Sequence, residues 1–222
     1  MLSRIALLSI LSMMPGCRRA LWVPEAREVA ETARRATVAL RDGPARWNED
    51  AATGCGVFIS RREVLTVGHA LKGGGGLQLE LHDGSKRWAR VVKSLSGRAS
   101  AQGPLLEDVT RDLALLRLDD GEGGTSNWLP IADVDAAYGE QVFLVGAPQG
   151  VFGAAVVAIV SHTRDRSMTL VGHPLEPGWS GAPLVDRLGQ LVGIVSRGST
   201  SVSAAISASS IQKVLPELRR TP

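Results

Sequence analysis

Two successive series of six short apolar segments constrain this 222-residue chain more than any other feature of its sequence. The first series reads TVAL, CGVFIS, EVLTV, LQLEL, RVV and LALLRL, between Thr37 and Leu118. The second reads QVFLVGA, AAVVAIVS, SMTLVG, APLVD, QLVGIVS and SVSAAIS, ending at Ser207. The pieces are too short for globular helices, several alternate apolar with polar, and Gly, Asp or Ser separates them. That is the pattern of strands. Asp83-Gly84, between LQLELH and SKRWARVV, is a hairpin-turn signal. Six strands closing on themselves, twice over, predict an all-β protein of two six-stranded antiparallel β-barrels. Barrel one then covers residues 37–119 and barrel two residues 128–207, joined across the glycine-rich stretch Asp120 to Asn127.

A short helix is expected at each end. From Glu25 to Arg35, Ala26, Val29, Ala30 and Ala33 fall on one face, and Pro24 sits where a missing N–H costs nothing. From Ser209 to Arg219, Ile211, Val214, Leu215 and Leu218 face inward, while Pro216 predicts a kink or an early end.

The first residues read as a targeting segment. Arg4 precedes an apolar stretch from Ile5 to Met14, too short to span a bilayer, which takes roughly twenty residues. It suits the core of a signal peptide covering residues 1–17, with residues 18–24 as a tether. Pro15-Gly16-Cys17 resembles the cleavage and lipidation box of bacterial lipoproteins. The expectation is export to the cell envelope or periplasm, anchored by lipid on Cys17; the alternative is ordinary cleavage nearby, giving a soluble exported protein.

The second cysteine, Cys55, then has no disulfide partner, and in the apolar run GCGVFIS it is expected to act as a small buried hydrophobe. The net charge of +3 is dispersed over isolated or paired arginines, with no run of like charge and no basic-aromatic interleaving. No nucleic-acid partner is expected.

Three segments carry chemistry. PGWSGAP places Ser180 between glycines that admit positive φ and close substrate approach, and such a turn can aim the N–H groups of Gly178 and Ser180 into one concavity. In EVLTVGHAL an apolar strand runs into His69, flanked by small residues. In RDLALLRL the carboxylate of Asp112 stands at the mouth of a buried strand, where it needs a partner. Each alone has a plain structural reading: a surface turn, a histidine bonded to some carbonyl, an ion pair with Arg111. Together they supply the hydroxyl, base, orienting acid and oxyanion donors that nucleophilic acyl transfer requires.

The strings TVGHAL, DLALLRL and GWSGAP, in that order, resemble the His, Asp and Ser motifs of trypsin-like (chymotrypsin-fold) serine peptidases. GQLVGIVS resembles that family's substrate-binding strand, and the nearest likeness is to the bacterial HtrA/Deg group. The resemblance runs from Glu25 to Leu218, within a peptidase domain of residues 25–222, and the PDZ module of many HtrA relatives is not expected in these residues. It implies a serine endopeptidase with His69 as base, Asp112 as orienter and Ser180 as nucleophile, acting on protein or peptide substrates without cofactor or metal. It further implies that Ser196 supports Asp112, that Ser196, Arg197 and Gly198 wall the pocket for the residue before the scissile bond, and that Pro174 lies at its base. None of these is acidic, so a small or medium apolar side chain is the expected preference. Two departures stand out. Trp179 replaces a small polar residue, with its bulk expected toward leaving-side substrate, and Ala182 replaces a glycine.

An α/β-hydrolase needs a glycine at 182, a helix after the serine and a downstream histidine. Here His69, His82, His162 and His173 all precede Ser180. Scattered histidines also argue against a metal site. The remaining alternative is a peptidase-fold binding or scaffold protein with little turnover at the cell envelope.

Overall fold

The computed structural model describes residues 25–42, 53–71, 77–95, 111–164, 167–171, 177–198 and 202–220. The expected leader, tether and Cys17, and also Pro174 and His173, lie outside the described residues.

Among the described residues, twelve strands form two closed antiparallel barrels, as the segment pattern predicts. The first holds β1 (Thr37–Asp42), β2 (Gly54–Phe58), β3 (Glu63–Thr66), β4 (Leu77–Glu80), β5 (Lys86–Ser94) and β6 (Ala114–Leu118), in the order β1-β2-β3-β6-β5-β4. The second holds β7 (Gln141–Gly146), β8 (Ala154–Arg164), β9 (Ser167–Val171), β10 (Pro183–Val185), β11 (Leu191–Gly198) and β12 (Val202–Ser207). Its order is β10-β11-β12-β9-β8-β7. Closure gives every described strand a partner on each side, with long strands such as β8 pairing with β7 along one half and β9 along the other. The Asp83-Gly84 turn forms between β4 and β5, with Gly84 at φ +79° and the Ser85 N–H donating to Asp83 Oδ1 at 2.9 Å.

Helix α1 (Ala26–Ala36) enters β1 without a loop. The N–H and hydroxyl of Thr37 both donate to the Ala33 carbonyl, the hydroxyl at 2.7 Å. Its buried face is Val29, Ala33 and Ala36, packed on β7; Ala26, expected on that face, is exposed. Residues 25–28 are all exposed, so the apolar face is covered only from Val29 onward.

Helix α2 (Ala208–Arg219) runs unbroken through Pro216, contrary to the expected kink or early end. Pro216 stands on the exposed side, while Ile211, Leu215 and Leu218 are buried around it. Packing on both sides of the proline outweighs the backbone bond it cannot make. Asp135 holds the helix start, accepting from the Ser209 N–H at 2.8 Å and hydroxyl at 2.7 Å.

The two barrels share one apolar core. Leu115 and Leu65 of barrel one join Val185, Ile194 and Ile206 of barrel two, with Ile211 and Leu218 of α2 laid across. The connecting segment stitches the seam: Leu129 N–H donates to the Phe58 carbonyl and Ala132 N–H to that of Leu191, each at 2.9 Å. Both barrels and both helices contribute side chains to this core, which packs the two barrels directly against each other.

Glu63 ties three elements at one rim. Its carboxylate accepts from Arg219 of α2 at 2.7 Å and from Arg117 of β6 at 3.2 Å. Burial pushes its carboxyl up, but the Arg219 and Arg117 guanidinium groups outweigh that and hold it below the ordinary glutamate range. A carboxyl depressed in the folded state stabilises above the unfolded-state value, and that contribution fades as pH falls through the folded-state value. Glu63→Gln is therefore expected to lower stability by about 1–3 kcal/mol at neutral pH in denaturant titrations. The gap between the two proteins closes on acidification below the ordinary carboxylate range.

Candidate active site

The site begins with strand register. β3 and β6 are antiparallel neighbours, with Thr66 opposite Ala114. The chain leaving β3 and the chain entering β6 therefore lie side by side at one barrel rim. His69 follows β3 in a single 3₁₀ turn, Gly68–Ala70, and Asp112 stands two residues ahead of β6. Forty-three positions apart in sequence, they meet because the ladder requires it. His69 Nδ1 lies 2.6 Å from Asp112 Oδ2, and the His69 backbone N–H donates to Oδ1 at 3.0 Å.

Asp112 is almost fully buried, and such a carboxylate is costly unless its lone pairs are used. A third donor comes from the other barrel, where the Ser196 hydroxyl on β11 donates to Oδ2 at 2.7 Å. With Nδ1–H committed to the carboxylate, Nε2 is left as an acceptor. It faces the Ser180 hydroxyl at 2.9 Å.

Ser180 sits in the turn that enters β10, held by backbone on both sides. Gly181 N–H donates to the Val195 carbonyl at 2.7 Å, and Val195 N–H returns to Ala182 at 2.9 Å. Across the seam, Cys55 N–H of β2 donates to the Ser180 carbonyl at 2.6 Å. This approach tolerates no side chain. A Cβ on Gly181, which is at φ +85°, would run into the Cys55 carbonyl, and one on Gly54 would stand 2.7 Å from the Ser180 carbonyl.

Gly178 adopts φ +107°, with the Ala147 carbonyl where a Cβ would project. The Pro177 carbonyl accepts from Gln149 N–H at 3.1 Å, which in a trans peptide sends the Gly178 N–H the opposite way. Among the described hydrogen bonds, neither the Gly178 nor the Ser180 N–H has an acceptor. Two donors on one turn, uncommitted to the protein, are what an oxyanion requires.

The structure thus brings His69, Asp112, Ser180 and Ser196 together and places Gly178 beside them. Arg197 is buried on β11 and Gly198 is exposed at its end. Ala182 needs no special backbone: Gln149 is the one non-glycine with positive φ among the described residues. Trp179 is a correction. Its side chain was expected to reach leaving-side substrate, but it is buried inside barrel two. The buried cluster that holds it is rich in small residues, Ala132, Ala136, Ala147, Ala158 and Ala182 among them, which leave room for one large side chain. Gly146 completes that space; a Cβ on it would lie 2.6 Å from Trp179 Cε3. The cue in the sequence was the alanine richness of the second series, which one large side chain had to compensate.

Two closed barrels meeting at a Ser–His–Asp line define a chymotrypsin-like fold. The chain belongs to the trypsin-like peptidase domain family, whose model matches residues 54–194. It is 27% identical over 185 residues to the uncharacterized protein y4bJ of Sinorhizobium fredii, covering 78% of this chain and 26% of that one. It is 24% identical over 198 residues to a protein of Chlamydia muridarum named as a probable periplasmic serine endoprotease, DegP-like, covering 80% of this chain and 36% of that protein. The chain thus spans between about a quarter and just over a third of the length of these relatives. Among solved structures, the serine endoprotease from Yersinia pestis has the same fold, with a TM-score of 0.68 and 24% identity, over 89% of this chain and 68% of that one.

The burial of Trp179 over Gly146 yields a test. Gly146→Ala is expected to cost about 1–3 kcal/mol, because the indole cannot back away inside a packed barrel. Combining it with Trp179→Leu should recover part of the loss. A thermal-melt double-mutant cycle measures this coupling, and purely additive losses would contradict the contact.

Proposed function

We propose that this protein is a serine endopeptidase that cleaves peptide bonds through an acyl-enzyme on Ser180. The observation that carries the reading is His69, hydrogen-bonded at once to Asp112 at 2.6 Å and to Ser180 at 2.9 Å. In this mechanism Ser180 Oγ attacks the substrate carbonyl carbon as His69 Nε2 takes the hydroxyl proton. Asp112 stays ionised, fixes the tautomer and stabilises the imidazolium. The Gly178 and Ser180 N–H groups receive the oxyanion, each worth roughly 3–4 kcal/mol of transition-state stabilisation in comparable sites. His69 then protonates the leaving amine, and a water deprotonated by the same imidazole releases the acyl group.

Substrates in this reading are proteins or peptides, and Arg197 and Gly198 border the subsite before the scissile bond. Its location is the cell envelope. The apolar leader and the periplasmic designation of the DegP-like relative support export, and Cys17 supports a lipid anchor.

Turnover of a peptide library by the purified protein tests the proposal. Hydrolysis is expected from the native chain and none above background from Ser180→Ala. Asp112→Asn, which leaves the geometry but reverses the favoured tautomer, should lower kcat by roughly 10⁴-fold. Ser196→Ala removes one of three donors on Asp112 and should cost about tenfold or less, the worth of one hydrogen bond. Equal activity in Ser180→Ala, or none in the native chain, would leave a peptidase fold used for binding.

A further inference from the structure

Cys55 was expected to fill space as a small hydrophobe, but each of its polar atoms has a partner at the candidate site. Its N–H holds the Ser180 carbonyl at 2.6 Å, and its carbonyl accepts from the Thr66 hydroxyl at 2.6 Å. Its thiol, from β2 of barrel one, bridges two segments of barrel two, the one following β7 and the turn preceding β10. Sγ donates to the Gly178 carbonyl at 3.0 Å and accepts from the Ala147 N–H at 3.2 Å. The residue is fully buried, so neither the Gly178 carbonyl nor the Ala147 N–H has water as a substitute there.

This bridge completes a two-sided grip on Gly178. The peptide before it is turned by Gln149, whose N–H takes the Pro177 carbonyl, and the peptide after it is turned by Cys55. A glycine at positive φ has no Cβ to keep it there, so these bonds must choose among its many conformations. The segment Ala147–Gly150 carries both ends of the grip, through Ala147 to the thiol and through Gln149 to Pro177.

We propose that Cys55 is a positioning residue for the proposed reaction: its thiol, bridging Ala147 N–H and Gly178 C=O, holds the Gly178 N–H in the orientation that receives the oxyanion. The bridge requires the protonated thiol. Burial pushes the Cys55 thiol up to about 12, against the opposing pull of the Ala147 N–H, so the donor persists at neutral pH. Cys55 touches no substrate and acts only through the loop. The proposal rests on the peptidase reading above.

The test compares Cys55→Ala and Cys55→Val, which abolish the bridge, with Cys55→Ser, which keeps a donor and acceptor on the same atom. Steady-state kinetics on one peptide should show kcat reduced roughly ten- to hundred-fold in the apolar variants, the cost of a misplaced catalytic group, with KM within about threefold. Cys55→Ser should recover most of the loss. A peptidyl boronate, whose adduct presents an oxygen to the oxyanion donors, should bind the apolar variants weaker by a similar factor. The parent peptide should bind Ser180→Ala equally well with or without Cys55→Ala. Native kcat in both apolar variants, or kcat lost equally in Cys55→Ser, would overturn the proposal. If the native chain shows no turnover the peptidase reading fails by itself, and crystal structures of Cys55→Ala and Cys55→Ser decide the positioning role. A Gly178 carbonyl that turns away only in Cys55→Ala sustains it, and an unmoved carbonyl overturns it.

Discussion

The whole site depends on backbone lying directly against backbone where the barrels touch. The Cys55 N–H of β2 reaches the Ser180 carbonyl at 2.6 Å, and glycines at 54 and 181 line both sides of that bond. Such a contact needs glycine at both positions, because a Cβ on either would strike the backbone of the opposite segment. Barrel one contributes the imidazole and carboxylate, barrel two the hydroxyl, and this bond fixes their spacing.

Burial gives the second constraint its strength. Asp112 is withdrawn from water and meets three donors, two from His69 and one from Ser196. In a low-dielectric pocket each of those bonds is worth more than it would be in solvent, and losing one leaves part of a buried charge unsatisfied. The ring of His69 is thereby held in one orientation and one tautomer. Trp179 performs the corresponding service for the serine by apolar means, anchoring the nucleophile turn in an alanine-rich barrel. Polar bonds orient the base and packing orients the turn that presents the hydroxyl.

The architecture was legible because it is written in local patterns: period-two and continuously apolar runs of strand length, an Asp-Gly turn, and helical spacing at the two ends. The candidate triad was legible because its residues sit at strand ends, where a polar group beside an apolar run stands out. Three things were not. Trp179 read as a substrate contact because nothing local says which way an indole in a turn will point; that depends on how much room distant alanines leave. Pro216 read as a breaker because helix propensity omits the tertiary packing on either side of it. Cys55 is buried among apolar residues as its sequence suggested, but its thiol bonds were hidden, because their partners, Ala147 and Gly178, lie 92 and 123 positions away and offer only main-chain atoms, which carry no sequence signature.

The central claim is that one serine among many is made nucleophilic by the line from Asp112 through His69. Labelling with a fluorophosphonate, followed by peptide mapping in a mass spectrometer, interrogates that directly. The account predicts a single adduct per chain, on the peptide carrying Ser180, formed far more slowly once His69 is replaced by alanine. An unmodified Ser180 at neutral pH, or modification spread over several serines without regard to His69, would contradict it.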